Sequence, residues 1–330
     1  MIQSLMIFLG SMVAVWLAGR TLTRTCDTLA ERTRMGRVFV GSILLAGATS
    51  LPEAAASVSA GTMGYADIAL GNVFGSNLFN MAILGICGIV WGGKSMLQAA
   101  SQSQVPAAVL GMILSTLACL GLLAGETTGL FHVGVWTLAI PAVYLLWIYL
   151  LRVRARVDLK LPPIGVETME VDSRGTGRLW LLFAASALLL IAAASLLSYS
   201  AKTIADLSGL GETVIGTTLV ALVTSAPELI TCLAAIRIGS VDLAVGNALG
   251  SNIFNMNILF FADIAYRRSP ILTAASPIHS KTALVGIFLS GLVALGMVTP
   301  IPGRIGRFTV ESILLLLAYM GFSAYLLTQV

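Results

Sequence analysis

The chain has 330 residues, of which 57% are hydrophobic and 10% are charged, and its mean hydropathy is +0.94. A soluble domain carries about 25% charged residues, so this chain holds too little polar surface to cover a water-soluble globule. Its net charge of +4 is explained by basic residues beside anionic lipid, without a nucleic-acid partner. The composition therefore indicates an integral membrane protein.

Ten apolar segments are long enough to cross a bilayer as helices, which takes about 20 residues each. The first five are 2–19, 36–62, 67–92, 105–124 and 128–151. The second five are 179–198, 212–238, 241–265, 282–300 and 308–328. The predicted fold is an all-α membrane protein with ten transmembrane helices. The first segment is interpreted as a retained span rather than a signal peptide, because no small-residue cleavage site follows it.

A polar stretch from Arg152 to Arg178 separates the two sets of spans. It contains two prolines and charges of both signs, so it is predicted to be a cytoplasmic linker. The predicted domains are a five-helix repeat at 1–151, the linker at 152–178 and a second five-helix repeat at 179–330. Because five is odd, the second repeat must enter the membrane with opposite polarity, as in many secondary transporters.

The basic residues predict the orientation in the membrane. With the N-terminus outside the cytoplasm, 15 of the 19 Lys and Arg residues fall in inner loops and four fall on the outer side. We therefore expect a multi-pass protein of the cell membrane with both termini on the extracytoplasmic side.

Two stretches of the sequence repeat each other. GNVFGSNLFNM at 71–81 and GNALGSNIFNM at 246–256 are 175 positions apart. When Thr49–Leu84 is aligned without gaps to Thr224–Leu259, 18 of 36 positions are identical, including a Pro-Glu pair and several Asn and Ser positions. Shared membrane composition would match apolar letters but not these polar ones in register. The repeat predicts two halves of one polar site.

Glu53 and Glu228 occupy matching places near the middle of their spans. A carboxylate in the bilayer centre is costly unless it faces a partner or a wet cavity. Two carboxylates that meet between the halves repel each other, and a divalent cation, two monovalent cations or protons would relieve this repulsion. The alternative is that each glutamate is only hydrogen-bonded to another helix.

Pro52 and Pro227 come just before these glutamates. Proline has no N–H and crowds the carbonyl one turn back, so it frees backbone oxygens near Ala48 and Val223. Freed carbonyls in lipid must find a partner or line a cavity, and broken helices often build ion sites at the bilayer midplane. A kink that only shapes packing is the alternative.

The repeated GN–GSN–FN stretches place Asn72, Ser76 and Asn80 on one helical face. Their glycines are spaced four apart, which favours close helix packing. That packing does not explain Asn80 or Asn255, whose amide oxygens are predicted to bind a cation or to hold a carboxylate.

Other polar residues receive more ordinary interpretations. Asp67 and Asp242 precede apolar runs and are predicted helix caps, and Asp263 is expected at the membrane interface. The cysteines have no paired spacing and are expected to be buried apolar residues; they are Cys26, Cys87, Cys119 and Cys232. The sequence has no His/Cys ligand cluster, nucleophile–base pair or phosphate loop, so neither enzyme activity nor a cofactor is predicted.

TSLPE at 49–53 followed by GNVFGSNLFN, and TSAPE at 224–228 followed by GNALGSNIFN, resemble the two α-repeats of the cation/calcium exchanger superfamily. The closer likeness is to its prokaryotic sodium/calcium exchanger branch. The resemblance implies antiport of Ca²⁺ against Na⁺ by alternating access, with the first and sixth spans sliding against the core. It implies four central ligands: Glu53, Asn80, Glu228 and Asn255. It also implies flanking sodium ligands at Ala46, Thr49, Ser50, Ser76, Ala221, Thr224, Ser225 and Ser251.

Two positions depart from the pattern of this family. Asn255 stands where sodium/calcium members usually have aspartate, and Ala48 and Val223 stand where glycine is usual. Two carboxylates can neutralise one Ca²⁺, two Na⁺ or two H⁺, so a proton-coupled exchanger or one for Mn²⁺ or Mg²⁺ remains an alternative. A cation channel and a non-transporting sensor are alternatives of other classes. The expected partners are Ca²⁺, Na⁺ and membrane lipid, with no nucleic acid, and the expected state is a monomer.

Overall fold

The structure is a computed structural model, and it describes residues 2–33, 37–92, 95–125, 129–158, 176–208, 220–306 and 308–328. The helices of the first half are α1 (Ile2–Thr33), α2 (Arg37–Thr49), α3 (Leu51–Met63), α4 (Ala66–Trp91), α5 (Met96–Ala99), α6 (Val105–Ala124) and α7 (Val135–Asp158). Those of the second half are α8 (Thr176–Ser208), α9 (Val220–Thr224), α10 (Ala226–Arg237), α11 (Val241–Ala265), α12 (Ile271–Ala274), α13 (Ile278–Val298) and α14 (Val310–Leu327).

Two short hairpins interrupt the helical fold. One pairs β1 (Gly129–Leu130) with β2 (Val133–Gly134), and the other pairs β3 (Arg304–Ile305) with β4 (Phe308–Thr309). Strands of two residues are too short to show a period-two pattern in the sequence. The fold is therefore nearly all-helical, which agrees with the predicted all-α class, and the two hairpins are additions that the sequence did not predict.

Long apolar helices make this a multi-pass membrane protein. Within the described ranges, six helices are long and apolar enough to cross a membrane, and the bent pair α2 and α3 adds a seventh. Val135–Leu150 and Val310–Leu326 are shorter apolar helices. The count of ten spans thus stays a prediction. Part of the predicted span 212–238 and most of the predicted linker lie outside the described residues.

The same spacing of 175 positions relates the two halves well beyond the polar motifs. It relates the starts of α4 and α11, of α5 and α12, of β1 and β3, and of α7 and α14. The helix α5 and its counterpart α12 have four residues each, and both hairpins immediately precede the last helix of their half. The repeat inferred from 36 aligned positions therefore extends through the architecture of both halves.

The helices α4 and α11 form the buried centre of the molecule. Of their apolar spans, 78% and 67% are buried, whereas α1 and α8 bury only 28% each. The helices α1 and α8 pack on one another at the periphery. Residues of the GN–GSN–FN motifs thus lie at the core, and the two most lipid-exposed long helices lie beside it.

A close approach between α2 and α11 depends on glycine. A Cβ atom at Gly250 would overlap the carbonyl oxygen of Ser42, and one at Gly246 would lie 3.1 Å from the Ser42 nitrogen. Ser42 lies in a π-helical stretch of α2, Val40–Leu45. The close packing predicted for the glycine spacing is therefore confirmed for the second repeat.

Asp67 and Asp242 join the two halves rather than cap their own helices. Asp67 Oδ1 accepts the backbone N–H of Ser276 at 2.6 Å, and Asp242 Oδ1 accepts the backbone N–H of Ser101 at 2.6 Å. The N-cap residues of α4 and α11 make no side-chain capping bond in the described structure. The predicted role as side-chain caps was wrong, although both aspartates lie in the first turn, where the helix dipole favours them.

Asp263 lies near the end of α11 and is fully buried within the protein; its expected position at the membrane interface stays a prediction. Its Oδ1 accepts the N–H of Ile271 at 2.7 Å, and its Oδ2 accepts the N–H of Gly134 at 2.8 Å and the hydroxyl of Thr137. The carboxylate thus ties α11 to a hairpin and to α12. All four cysteines are buried and unpaired, as predicted.

Candidate cation site

Two broken helices bring backbone and carboxylates to the centre. The helix α2 ends at Thr49 and α3 begins at Leu51, with a bend of 45° between them. The residue at the break, Ser50, has φ −86° and ψ 3°, and Ser225 at the second break has φ −86° and ψ 9°. In both, proline is at the start of the following helix, where its missing N–H is tolerated. The two halves thus break their helices with the same local geometry.

Glu53 and Glu228 lie in the first turn of α3 and α10 and have no exposed surface. The positive end of the helix dipole at this place favours a carboxylate. Each carboxylate also accepts a hydroxyl from the other half: Glu53 Oε1 from Ser225 at 2.9 Å, and Glu228 Oε1 from Ser50 at 3.2 Å. The two glutamates are therefore held by crosswise hydrogen bonds between the breaks.

Ser251 and Thr49 form further hydrogen bonds around Glu228. The Ser251 hydroxyl donates to Glu228 Oε1 at 3.3 Å, and Thr49 Oγ1 lies 3.4 Å from Ser251 Oγ. Thr49 also donates to Asn247 Oδ1 at 3.3 Å. These contacts join the break in α2 to the centre of α11.

Thr224 of the second half makes the contact that corresponds to that of Thr49 with Asn247. Its hydroxyl donates to Asn72 Oδ1 at 3.1 Å on α4. Asn72 in turn donates to the backbone oxygen of Glu53 at 3.2 Å and to Ser57 at 2.8 Å. Asn247 donates similarly to Thr231 at 2.9 Å.

The sequence interpretation did not give Asn72 and Asn247 a separate role, and the structure shows that they brace the broken helices. Each lies on the long central helix of its half and bonds to the threonine at the opposite break. The signal was present in the repeated Gly-Asn that opens both motifs. It was overlooked because the more deeply placed asparagines in each motif offered a direct ligand role.

Several buried polar atoms have no hydrogen-bond partner among the described residues. They are Oε2 of Glu53, Oε2 of Glu228, Oγ of Ser76, Oδ1 of Asn80, and both amide atoms of Asn255. A buried polar atom without a partner costs free energy comparable to a lost hydrogen bond, and more if it is charged. All but one of these atoms are oxygens, which are the ligands that hard cations such as Na⁺ and Ca²⁺ prefer. The arrangement can therefore hold cations.

The remaining predicted ligands lie on the broken helices themselves. The Ala46 carbonyl accepts the N–H of Ser50 at 3.0 Å and the hydroxyl of Thr49 at 3.2 Å, so it lies one turn before the break. Ala221 lies in α9, one turn before the second break. Ion binding by either carbonyl stays a prediction. No cluster of three His, Cys, Asp or Glu residues occurs within the described ranges.

A buried oxygen-lined centre between two halves of a multi-pass helical protein is typical of membrane transport proteins. Residues 3–153 and 178–328 each match the family described as "Sodium/calcium exchanger protein". The chain belongs to this family. The two matched ranges are related by the same spacing of 175 residues as the polar motifs.

Similar proteins agree with this assignment. The "Putative antiporter CaxA" of Alkalimonas amylolytica is 26% identical over 334 residues, covering 99% of both chains. The "Sodium/calcium exchanger MaX1" of Methanosarcina acetivorans is 51% identical over 55 residues, or 17% of this chain and 16% of that protein. A solved structure of the sodium-calcium exchanger NCX_Mj superimposes with a TM-score of 0.73 at 21% identity, covering 98% of both chains. This last likeness shows the fold.

Proposed function

We propose that the protein is a secondary active antiporter that exchanges Ca²⁺ for Na⁺ by alternating access. In this proposal the domains at 1–151 and 179–330 are inverted five-helix repeats, joined by a cytoplasmic linker at 152–178. Both termini lie outside the cytoplasm, and the protein works as a monomer.

One observation carries this proposal: buried Glu53 and Glu228 each keep one oxygen without a partner among the described residues. Their other oxygens are fixed by serine hydroxyls from the opposite half. This arrangement leaves two negative charges and several neutral oxygens for cations. Asn80 and Asn255 complete the proposed central ligands. The proposed flanking ligands are the hydroxyls of Thr49, Ser50, Ser76, Thr224, Ser225 and Ser251 and the carbonyls of Ala46 and Ala221.

Coupling follows from competition for the same carboxylates. One Ca²⁺ or two Na⁺ neutralise Glu53 and Glu228, but both sets of ions together would leave the site strongly positive. A charge buried in the bilayer without compensation is costly, so the neutralised states are the ones that cross. The peripheral helices α1 and α8 slide against the core to expose the site to either side.

The second candidate is a proton-coupled exchanger, or one that carries Mn²⁺ or Mg²⁺. Asn255 favours it, because an amide there limits the site to two carboxylates and both of its amide atoms are unpartnered within the described part of the chain. Two protons can replace two Na⁺ on the glutamates without any other change in charge.

The test is ⁴⁵Ca²⁺ uptake into proteoliposomes loaded with Na⁺, with K⁺, or with a proton gradient. We expect uptake that requires internal Na⁺ and disappears in Glu53→Gln. Glu311→Gln is the matched control, because Glu311 is a buried carboxylate that binds Ser95, far along the chain from the site motifs. Uptake driven by the proton gradient alone would replace sodium coupling with proton coupling. Absence of Ca²⁺ uptake under every gradient would overturn calcium transport, and Mn²⁺ and Mg²⁺ would then be compared in the same vesicles.

A further inference from the structure

A chain of amide hydrogen bonds leads from the candidate cation site into the core. Asn80 Nδ2 donates to Asn252 Oδ1 at 2.9 Å. Asn252 Nδ2 donates to the backbone carbonyl of Asn77 at 3.3 Å. Asn252 is only 5% exposed, so its amide is largely shielded from bulk water. The chain joins α4 to α11 directly behind the site.

The backbone carbonyl fixes the direction of the whole chain. A carbonyl can only accept, so Asn252 must turn its NH₂ group toward Asn77 and its oxygen toward Asn80. Asn80 must then present its own NH₂ group to Asn252. The Asn80 oxygen is left facing away from this chain, and it is one of the buried oxygens without a partner among the described residues.

We propose that Asn252 is a positioning residue that holds the Asn80 amide with its oxygen toward the transported cation. The inference rests on the proposed function, since it takes Asn80 as a cation ligand. Without Asn252, the Asn80 amide can rotate and present its NH₂ group, which carries partial positive charge, to the ion. Asn252 therefore acts on the ion only through Asn80.

The matching pair in the other half lacks this chain. By the 175-residue spacing, Asn255 corresponds to Asn80 and Asn77 to Asn252. Asn77 Nδ2 instead donates to the sulfur of Met256 at 3.1 Å, and Asn77 Oδ1 and both amide atoms of Asn255 have no partner within the described ranges. The two amide ligands of the site are therefore unequal: Asn80 is held and Asn255 is not.

A polar pocket borders Asn77 and Asn252. Its volume is about 260 Å³ when the open solvent at its mouth is included, and its polar lining residues are Asn77, Ser115, Asn252, Thr282 and Ser290. Two pairs of these residues occupy matching positions of the repeat, 175 residues apart: Asn77 with Asn252, and Ser115 with Ser290. A cavity with amides and hydroxyls favours water, which can serve Asn77 while its side chain is unbonded.

The test measures cation binding by the purified full chain through calorimetry and thermal stabilisation. Asn252→Leu keeps the side-chain size but removes both hydrogen bonds. We expect cation affinity about tenfold weaker, which corresponds to about 1.4 kcal/mol. Ser115→Ala, a polar-to-apolar change in the same cavity, should leave affinity unchanged. Equal affinity in Asn252→Leu and the wild type would overturn the inference.

A second measurement separates positioning from a general structural effect. Asn252→Leu is combined with Asn80→Ala, which removes the ligand whose orientation is in question. If Asn252 acts only through Asn80, the leucine should weaken binding in the Asn80 background by much less than tenfold, because contacting residues are not additive. An undiminished tenfold loss in that background would also overturn the inference.

Cation binding by the wild-type protein shows whether a negative result contradicts the role of Asn252 or the proposed function. Na⁺, Ca²⁺, Mn²⁺ and Mg²⁺ are each titrated, and every variant is compared with the cation that binds. If a cation other than Ca²⁺ binds, calcium exchange is wrong and the Asn252 comparison proceeds with that cation. If none of the four binds, both the proposed function and the role of Asn252 are wrong.

Discussion

At the scale of single residues, Asn255 decides how much charge the site carries. With two carboxylates, exchange of two Na⁺ for one Ca²⁺ moves no net charge, so a membrane potential should not change the initial rate of Ca²⁺ uptake. Asn255→Asp adds a third carboxylate, and a third Na⁺ would then balance it. One net charge per cycle is worth about 2.3 kcal/mol at 100 mV, so the variant should become sensitive to potential.

The measurement is ⁴⁵Ca²⁺ uptake at potentials set with K⁺ and valinomycin. Asn257→Asp is the control, since Asn257 is a buried amide on the same helix that donates to the backbone carbonyl of Ile253 and is not a proposed ligand. Dependence of wild-type uptake on potential would contradict the two-carboxylate charge balance.

Asp263 is a residue-scale test of stability rather than transport. Hydrogen bonds to a charged group contribute about 1.5–3 kcal/mol each, and this carboxylate accepts from Gly134, Thr137 and Ile271. Asp263→Ala should therefore lower the unfolding free energy by at least about 2 kcal/mol, seen as a lower unfolding temperature in detergent. The control is Asp67→Ala, whose side chain is 58% exposed, and a loss in this control as large as that of Asp263→Ala would contradict the prediction.

At the scale of elements, the closeness of α2 and α11 sets the shape of the site. Gly250→Ala would place a methyl group against the backbone of Ser42, which cannot move as a flexible side chain could. We expect a loss of about 1–3 kcal/mol from overpacking and weaker cation binding, because the helix carrying Thr49 must shift. Thermal unfolding and calorimetry measure both effects.

Gly111→Ala is the matched control for that substitution. Gly111 is a buried helical glycine, yet an added Cβ meets nothing within 4 Å. Alanine is favoured over glycine in a helix interior by about 1 kcal/mol, so this variant should be as stable as the wild type or more stable. Equal behaviour of the two glycine variants would show that the α2–α11 contact is not tight.

The elements also show why some features were predictable from the sequence and others were not. Pro52 and Pro227 mark the breaks because proline removes a donor at a known position. The repeated motif singled out Asn80 and Asn255 because asparagine is a poor choice for facing lipid. The hydrogen bond from Ser225 to Glu53 and the backbone N–H groups that donate to Asp67 and Asp242 could not be predicted in this way, because they depend on how the halves pack. The same is true of the burial of Asp263.

At the scale of the whole molecule, the orientation remains a prediction that reporters can test. Fifteen of 19 basic residues lie in the loops assigned to the cytoplasm, and such a bias sets topology. Alkaline phosphatase fused after Val330 should be active, because it folds outside the cytoplasm, whereas a fluorescent protein fused there should be dark. Fusions within the predicted linker at 152–178 should give the reverse. A fluorescent C-terminal fusion with an inactive phosphatase would contradict the orientation.

The crosswise contacts of Asp67 with Ser276 and of Asp242 with Ser101 have a consequence for motion. Each contact joins a helix of one half to a loop of the other half, so the two hydrogen bonds hold the halves together. Insertions in a loop that only connects two helices should be tolerated, since doubling the length of a loop costs about 0.6 kcal/mol. Insertions beside Ser101 or Ser276 should be tolerated less well, because they would displace the N–H group that binds the aspartate of the other half. If α1 and α8 slide as proposed, both contacts would stay intact, because neither of them involves these two helices.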